Sequence, residues 1–144
     1  MRILTIAFLT LASLVSASAA DKKAIQPKGF PTGRPFSPGI LTPDGTLYVA
    51  GTTGADLKTG AVPADFDAEA KLCFDLIGQV LKEAGMSFDN AVSVHVYLTD
   101  VSLFARMNAI YMTYFKEPRP ARTTVGVAKL VNAAHMEVTV TAHK

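Results

Sequence analysis

Between Phe66 and Ala84 the apolar residues Leu72, Leu76, Ile77, Val80, Leu81 and Ala84 recur every three or four positions, while Glu69, Lys71, Lys82 and Glu83 fall off that stripe. The spacing predicts an amphipathic helix with one buried face. Asp65 or Asp67 is placed to cap its start, and Gly85 stands where a helix commonly ends in a left-handed residue. A second helix is predicted from about Ser102 to Phe115, where Phe104, Met107, Tyr111, Tyr114 and Phe115 share helical spacing and Pro118 and Pro120 stop it.

Elsewhere the pattern has a period of two. Asn90 to Leu98 reads as a strand with Val92, Val94, Val96 and Leu98 on one face and Ser93, His95 and Tyr97 on the other. Gly39–Thr42 and Thr46–Ala50 read as a hairpin around the Pro43-Asp44-Gly45 turn, followed by a Gly- and Thr-rich loop from Gly51 to Pro63. Arg122 to Ala128 and Met136 to Ala142 supply two closing strands. The order β-β-α-β-α-β-β predicts an α+β fold: one sheet, antiparallel or mixed, with two helices on one face. The uncovered face is half polar and half aromatic, so self-association is the simplest expectation.

The two ends read differently. Residues 1–20 carry an early Arg2, an apolar run from Ile3 to Val15 and the small residues Ser16-Ala17-Ser18-Ala19-Ala20. That arrangement predicts a cleavable signal peptide, and the apolar run is shorter than a bilayer requires. The mature protein is expected to be secreted or, in a bacterium, periplasmic, with no membrane attachment after signal removal. Residues 21–34 form a Pro- and Gly-rich extended lead-in, and residues 35–144 form the single domain.

Composition narrows the function classes. The 144 residues are 49% hydrophobic and 18% charged, enough for one packed core. The net charge of +2 leaves no electrostatic footprint for nucleic acid or an anionic membrane. Cys73 is the only cysteine, which rules out an internal disulfide and a Cys-based metal site, and its place in the first helix predicts a buried, inert thiol. There is no P-loop, no G-x-G-x-x-G after a strand, no H-E-x-x-H and no G-x-S-x-G, and His95, His135 and His143 lack ligand spacing. Neither a cofactor nor a metal is required.

Candidate chemistry sits near the end of the chain. Alternation sends Thr123, Val125 and Val127 toward the core and Arg122, Thr124 and Gly126 away from it. In the last strand Met136, Val138 and Val140 point inward, leaving Glu137, Thr139 and Thr141 outward. Arg122 and Glu137 are therefore expected on the same non-helical face, although the register between the two strands is not readable. A guanidinium there grips a carboxylate through two parallel hydrogen bonds, and a nearby carboxylate orients or deprotonates a water. From spacing alone a surface Arg–Glu ion pair is the favoured reading. His95 and Tyr97 fit packing or interface roles, and Asn108 either reaches a partner subunit or satisfies a loop.

Several motifs in order resemble the Rid/YjgF family of reactive-intermediate deaminases, also described as endoribonuclease L-PSP. Pro120-Ala121-Arg122-Thr123-Thr124-Val125-Gly126-Val127-Ala128-Lys129-Leu130 is similar to its P-A-R-[ST]-x-V-x-V-x-x-L signature, and His135 to Ala142 is similar to its closing strand. Arg34-Pro35-Phe36-Ser37-Pro38-Gly39 resembles the opening P-Y-S-x-[AG], and Leu47 to Gly51 followed by Asp56-Leu57-Lys58-Thr59-Gly60 resembles the family's strand and D-P-x-T-G loop. The likeness runs from about Pro35 to Ala142. It implies a chorismate-mutase-like fold, a homotrimer with clefts between subunits, and hydrolysis of enamine or imine intermediates (2-imino acids) to 2-keto acids and ammonia without cofactor or metal. It further implies that Arg122 holds the substrate carboxylate, that Glu137 positions the hydrolytic water, and that Phe36, Ala50, Gly51, Asn108 and Thr124 line the substrate site. Three positions depart from the family pattern: Phe36 for the usual Tyr, Ala50 for Ser, and Thr124 for Cys.

Two other functions stay open at this level. A non-catalytic binding protein for small carboxylates or keto acids would use the same Arg122 pocket. An endoribonuclease or holdase role is attached to some family members, but the near-neutral charge speaks against a nuclease.

Overall fold

The computed structural model describes residues 21–144, so the expected signal peptide at 1–20 lies outside the described residues. Three strands open the chain: β1 (Lys23–Ile25), β2 (Gly39–Leu41) and β3 (Thr46–Thr53). They are followed by α1 (Phe66–Glu83), β4 (Ala91–Leu98), α2 (Phe104–Tyr114), β5 (Ala121–Gly126) and β6 (Met136–His143). The short β1, inside the Pro-rich lead-in, is an addition to the expected order.

The six strands form one sheet in the order β1-β2-β3-β6-β4-β5. All pairings are antiparallel except β4 with β5, which is parallel. A parallel pair needs a crossover, and α2 supplies it. The two last strands are therefore not neighbours: β4 lies between them.

Helix α1 forms where the stripe predicted. The Asp65 carboxylate accepts the Ala68 N–H at 3.0 Å to cap its start, and Gly85 follows its end with φ of +71°. Its apolar face buries Ala70, Cys73, Phe74, Ile77, Val80 and Leu81 against Leu47, Val94, Val96, Val138 and Val140 of the sheet. Each such aliphatic side chain contributes about 1.5–3 kcal/mol through burial, so this layer dominates stability. Helix α2 closes the layer through aromatic contacts: Tyr111 stacks on Phe115 at 4.2 Å, and Phe74 of α1 meets both edge-on. Arg106 adds exposed ion pairs to Asp65 and Asp67, each at 2.9 Å. The Tyr114 hydroxyl donates to Asp75 at 2.8 Å; burial, followed by that carboxylate, pushes its pKa up to about 12.

Two expectations about individual residues are corrected. Val92, expected beside Val94 and Val96, is 51% exposed because β4 has a register irregularity between Ala91 and Ser93 that drops it out of phase. Glu69, expected on the polar side of α1, is 0% exposed.

Candidate active site

The parallel pairing of β5 decides where Arg122 points. Arg122 is in register with Val94, and Thr124 with Val96, both fully buried beneath the helices. Registered neighbours share a face, so Arg122 and Thr124 leave the sheet on the helix side. Thr123 and Val125 take the open face, and Val125 is 42% exposed. This reverses the expected assignment, which treated β5 and β6 as adjacent and read the valine alternation of β5 as core-facing. On an edge strand that alternation points outward instead.

The Arg122 guanidinium lies over the Tyr111 ring at 4.5 Å and near that of Phe104 at 5.7 Å. Flat aromatic faces hold a planar cation while leaving its N–H edge free. No carboxylate of the described residues forms an ion pair with it. Asn108 lies one turn before Tyr111, and the two line a cleft of about 440 Å³ with Met112, Arg119, Pro120 and Arg122. Burial raises the Tyr111 pKa, partly offset by Arg122 and Arg119, and its hydroxyl is buried without a partner. The buried Thr124 hydroxyl is also unpartnered.

Glu137 belongs to a second wall. It is in register with Tyr97 of β4 and Thr53 of β3, on the open face. Beside it β3 bulges: Val49 pairs with Val140 and Thr52 with Val138, so Ala50 and Gly51 together face Thr139 alone. The Glu137 side chain folds into the gap. A Cβ on Gly51 would stand 2.1 Å from its Oε1, so only glycine leaves the carboxylate room. Phe36, Ala50, Gly51 and Glu137 line a cleft of about 450 Å³ together with Arg34, Asp56 and Asn132. The Asp56 carboxylate accepts the N–H groups of Thr59 and Lys58 and the Thr59 hydroxyl; these bonds hold its pKa below the ordinary value and shape the loop at the cleft rim.

Behind this wall, α1 is tied to the start of β6. The Glu69 carboxylate accepts the His135 N–H at 2.7 Å and the Met136 N–H at 3.1 Å, and its other oxygen meets His135 Nδ1 at 2.7 Å. This pins the residues immediately before Glu137. Cys73, one turn along α1, is fully buried and donates to the Thr52 carbonyl at 3.1 Å. Burial, with Glu69 and Glu137 nearby, drives its thiol pKa well above normal.

Within one chain the expected site thus divides in two. Arg122, Asn108 and Thr124 stand on the helix side of the β5 edge, whereas Phe36, Ala50, Gly51 and Glu137 gather at the β3 bulge. The expected common face of Arg122 and Glu137 does not exist: their strands flank β4, roughly 10 Å apart, and the side chains take opposite faces. Sequence reading passed over Tyr111, Arg34, Asn132 and Glu69 as site or support residues. Tyr111 carried a usable signal, being three residues after Asn108 on the same helix face.

The endoribonuclease L-PSP family model matches residues 28–144. Among relatives, a RutC family protein of Aquifex aeolicus is 35% identical over 112 residues, covering 76% of this chain and 89% of its own. The mouse 2-iminobutanoate/2-iminopropanoate deaminase is 37% identical over 105 residues, covering 72% of this chain and 77% of its own. Among solved structures, the Rid-family protein YyfA of Yersinia pestis superposes with a TM-score of 0.79 at 32% identity, covering 85% of this chain and 99% of that one. Escherichia coli TdcF, solved with bound serine, gives a TM-score of 0.76 at 26% identity, covering 85% of this chain and 98% of that one. With the P-A-R-T strand, the bulged Gly51 and the Glu137 strand all in place, this chain belongs to the endoribonuclease L-PSP family of Rid/YjgF proteins.

Proposed function

We propose that the protein is an imine deaminase that converts 2-imino acids to 2-keto acids and ammonia, in clefts formed where the β5 edge of one copy meets the β3 bulge of the next in a homotrimer. The observation that carries this reading is the Arg122 guanidinium, stacked on Tyr111 with its hydrogen-bonding edge unpaired among the described residues. Such a group binds a substrate carboxylate through two charge-assisted hydrogen bonds. Deaminase relatives at about 37% identity and a serine-bound relative support an amino-acid-derived ligand. The division of the site into two walls supports the trimer, since one chain alone does not bring Glu137 to Arg122.

In this mechanism Arg122 holds the carboxylate and Asn108 lies beside it. Glu137 takes a proton from water as the water oxygen adds to the imine carbon and passes it to nitrogen, giving the carbinolamine. It then moves the hydroxyl proton to the amino group as C=O forms, the C–N bond breaks and ammonia leaves. The same proposal includes export of the mature protein, supported by the signal-peptide-like pattern of residues 1–20.

The test generates 2-imino acids with an amino-acid oxidase while semicarbazide competes for the imine. Wild type is expected to suppress semicarbazone formation and Arg122→Ala to have no effect on it. Keto acid binding without any turnover would instead make the protein a carboxylate binder, the outcome that Phe36, Ala50 and Thr124 would then explain.

A further inference from the structure

The Glu137 cleft contains a cation that the deaminase reading does not use. Arg34 lies in the Pro-rich segment between β1 and β2, with its guanidinium carbon 5.7 Å from the centroid of the Phe36 ring. It lines the same cleft as Gly51 and Glu137. No carboxylate of the described residues forms an ion pair with it. Asp56, the other acid on this wall, already accepts three hydrogen bonds within its own loop. Arg34 is therefore a cation beside the Phe36 ring, without an ion pair among the described residues, in a cleft whose other charged groups are acidic.

We propose that Arg34 recognises a second negative charge at the far end of the substrate, so that the preferred substrates are 2-imino acids bearing a distal carboxylate. This rests on the deaminase reading. In the assembled cleft, Arg122 from one wall takes the carboxylate next to the imine carbon. Arg34 from the other wall takes the distal carboxylate, and Glu137 works on the water between them. A substrate with an apolar side chain would leave Arg34 with only water and a ring as neighbours. A dicarboxylate gives it a planar, two-oxygen partner that matches its fork. The cleft of about 450 Å³ has space for the longer skeleton.

The experiment compares kcat/KM for 2-iminoglutarate and 2-iminobutanoate, each generated by an oxidase, in wild type, Arg34→Met and Arg34→Lys. Wild type should favour 2-iminoglutarate. The ratio of the two values should fall by roughly tenfold or more in Arg34→Met, the scale of one charge-assisted pair, with partial recovery in Arg34→Lys. An unchanged ratio in Arg34→Met overturns the proposal. If neither imine is hydrolysed, the deaminase reading fails separately, and calorimetry with 2-oxoglutarate and 2-oxobutanoate decides. Tighter binding of 2-oxoglutarate that disappears in Arg34→Met upholds the Arg34 assignment; equal binding of both acids overturns it.

Discussion

Arg122 and Glu137 leave one sheet on opposite faces, from strands that flank β4. In the homotrimer proposed above, each cleft takes Arg122 from one copy and Glu137 from its neighbour. Arg122→Ala and Glu137→Gln chains should each be inactive alone. When equal amounts are unfolded together and reassembled, roughly a quarter of the clefts regain both groups, because the order around the ring is random. Imine-hydrolysis activity at that level is the expected readout; no recovery despite mixed trimers would place both groups in a single chain's site.

Gly51 is expected to be needed for turnover more than for folding. A methyl group there occupies the position of the Glu137 Oε1, and the flexible carboxylate swings away. Gly51→Ala should lose roughly 10²-fold in kcat, as a displaced catalytic group does, while stability shifts by only about 1 kcal/mol. Steady-state kinetics beside urea unfolding separates the two effects.

Removing Glu69 should destabilise the fold strongly. Glu69→Ala leaves the His135 and Met136 N–H groups without their acceptor and opens a cavity next to α1. The expected loss is about 3 kcal/mol in denaturant unfolding. Glu69→Gln keeps one carbonyl oxygen for those donors and should lose distinctly less.

The thiol of Cys73 should be inert in the native protein. Burial is the main cause of its raised pKa, with Glu69 and Glu137 adding to it, so thiolate is scarce at mildly alkaline pH. Mass spectrometry after iodoacetamide treatment should find no adduct in the native protein and complete alkylation in denaturant.

Acid should weaken the α1 cap. The Ala68 N–H, followed by Arg106, holds the Asp65 pKa below its ordinary value. A carboxylate depressed in the folded state adds stability above its unfolded pKa, and that contribution disappears as pH falls through the folded value, below about pH 4. The thermal midpoint of Asp65→Asn should therefore fall less than that of wild type on acidification across this window.

Both helices and most strands were legible in the sequence because their signals are local. The α1 stripe, its Asp65 cap and the β4 alternation each depend on residues within a few positions of one another. The face of Arg122 was not legible, because it depends on β5 pairing parallel with β4, and parallel pairing is a property of the crossover through α2. Glu69 was misread for a related reason. A carboxylate is almost never fully buried without partners, and its partners lie 66 and 67 residues away. Val92 escaped because one irregular pairing puts it out of phase with the alternation of β4. The candidate residues themselves were recognisable from motifs, while their division between two walls was visible only in three dimensions.

The extra residue in β3 has a consequence for anyone redesigning this scaffold. Deleting Ala50 or Gly51 would give β3 uninterrupted pairing with β6 and remove a visible imperfection from the sheet. It would also move everything upstream by one position and close the notch that receives the Glu137 side chain. Sequence idealisation guided by regularity alone would thus produce a tidier protein with nowhere to put its acid.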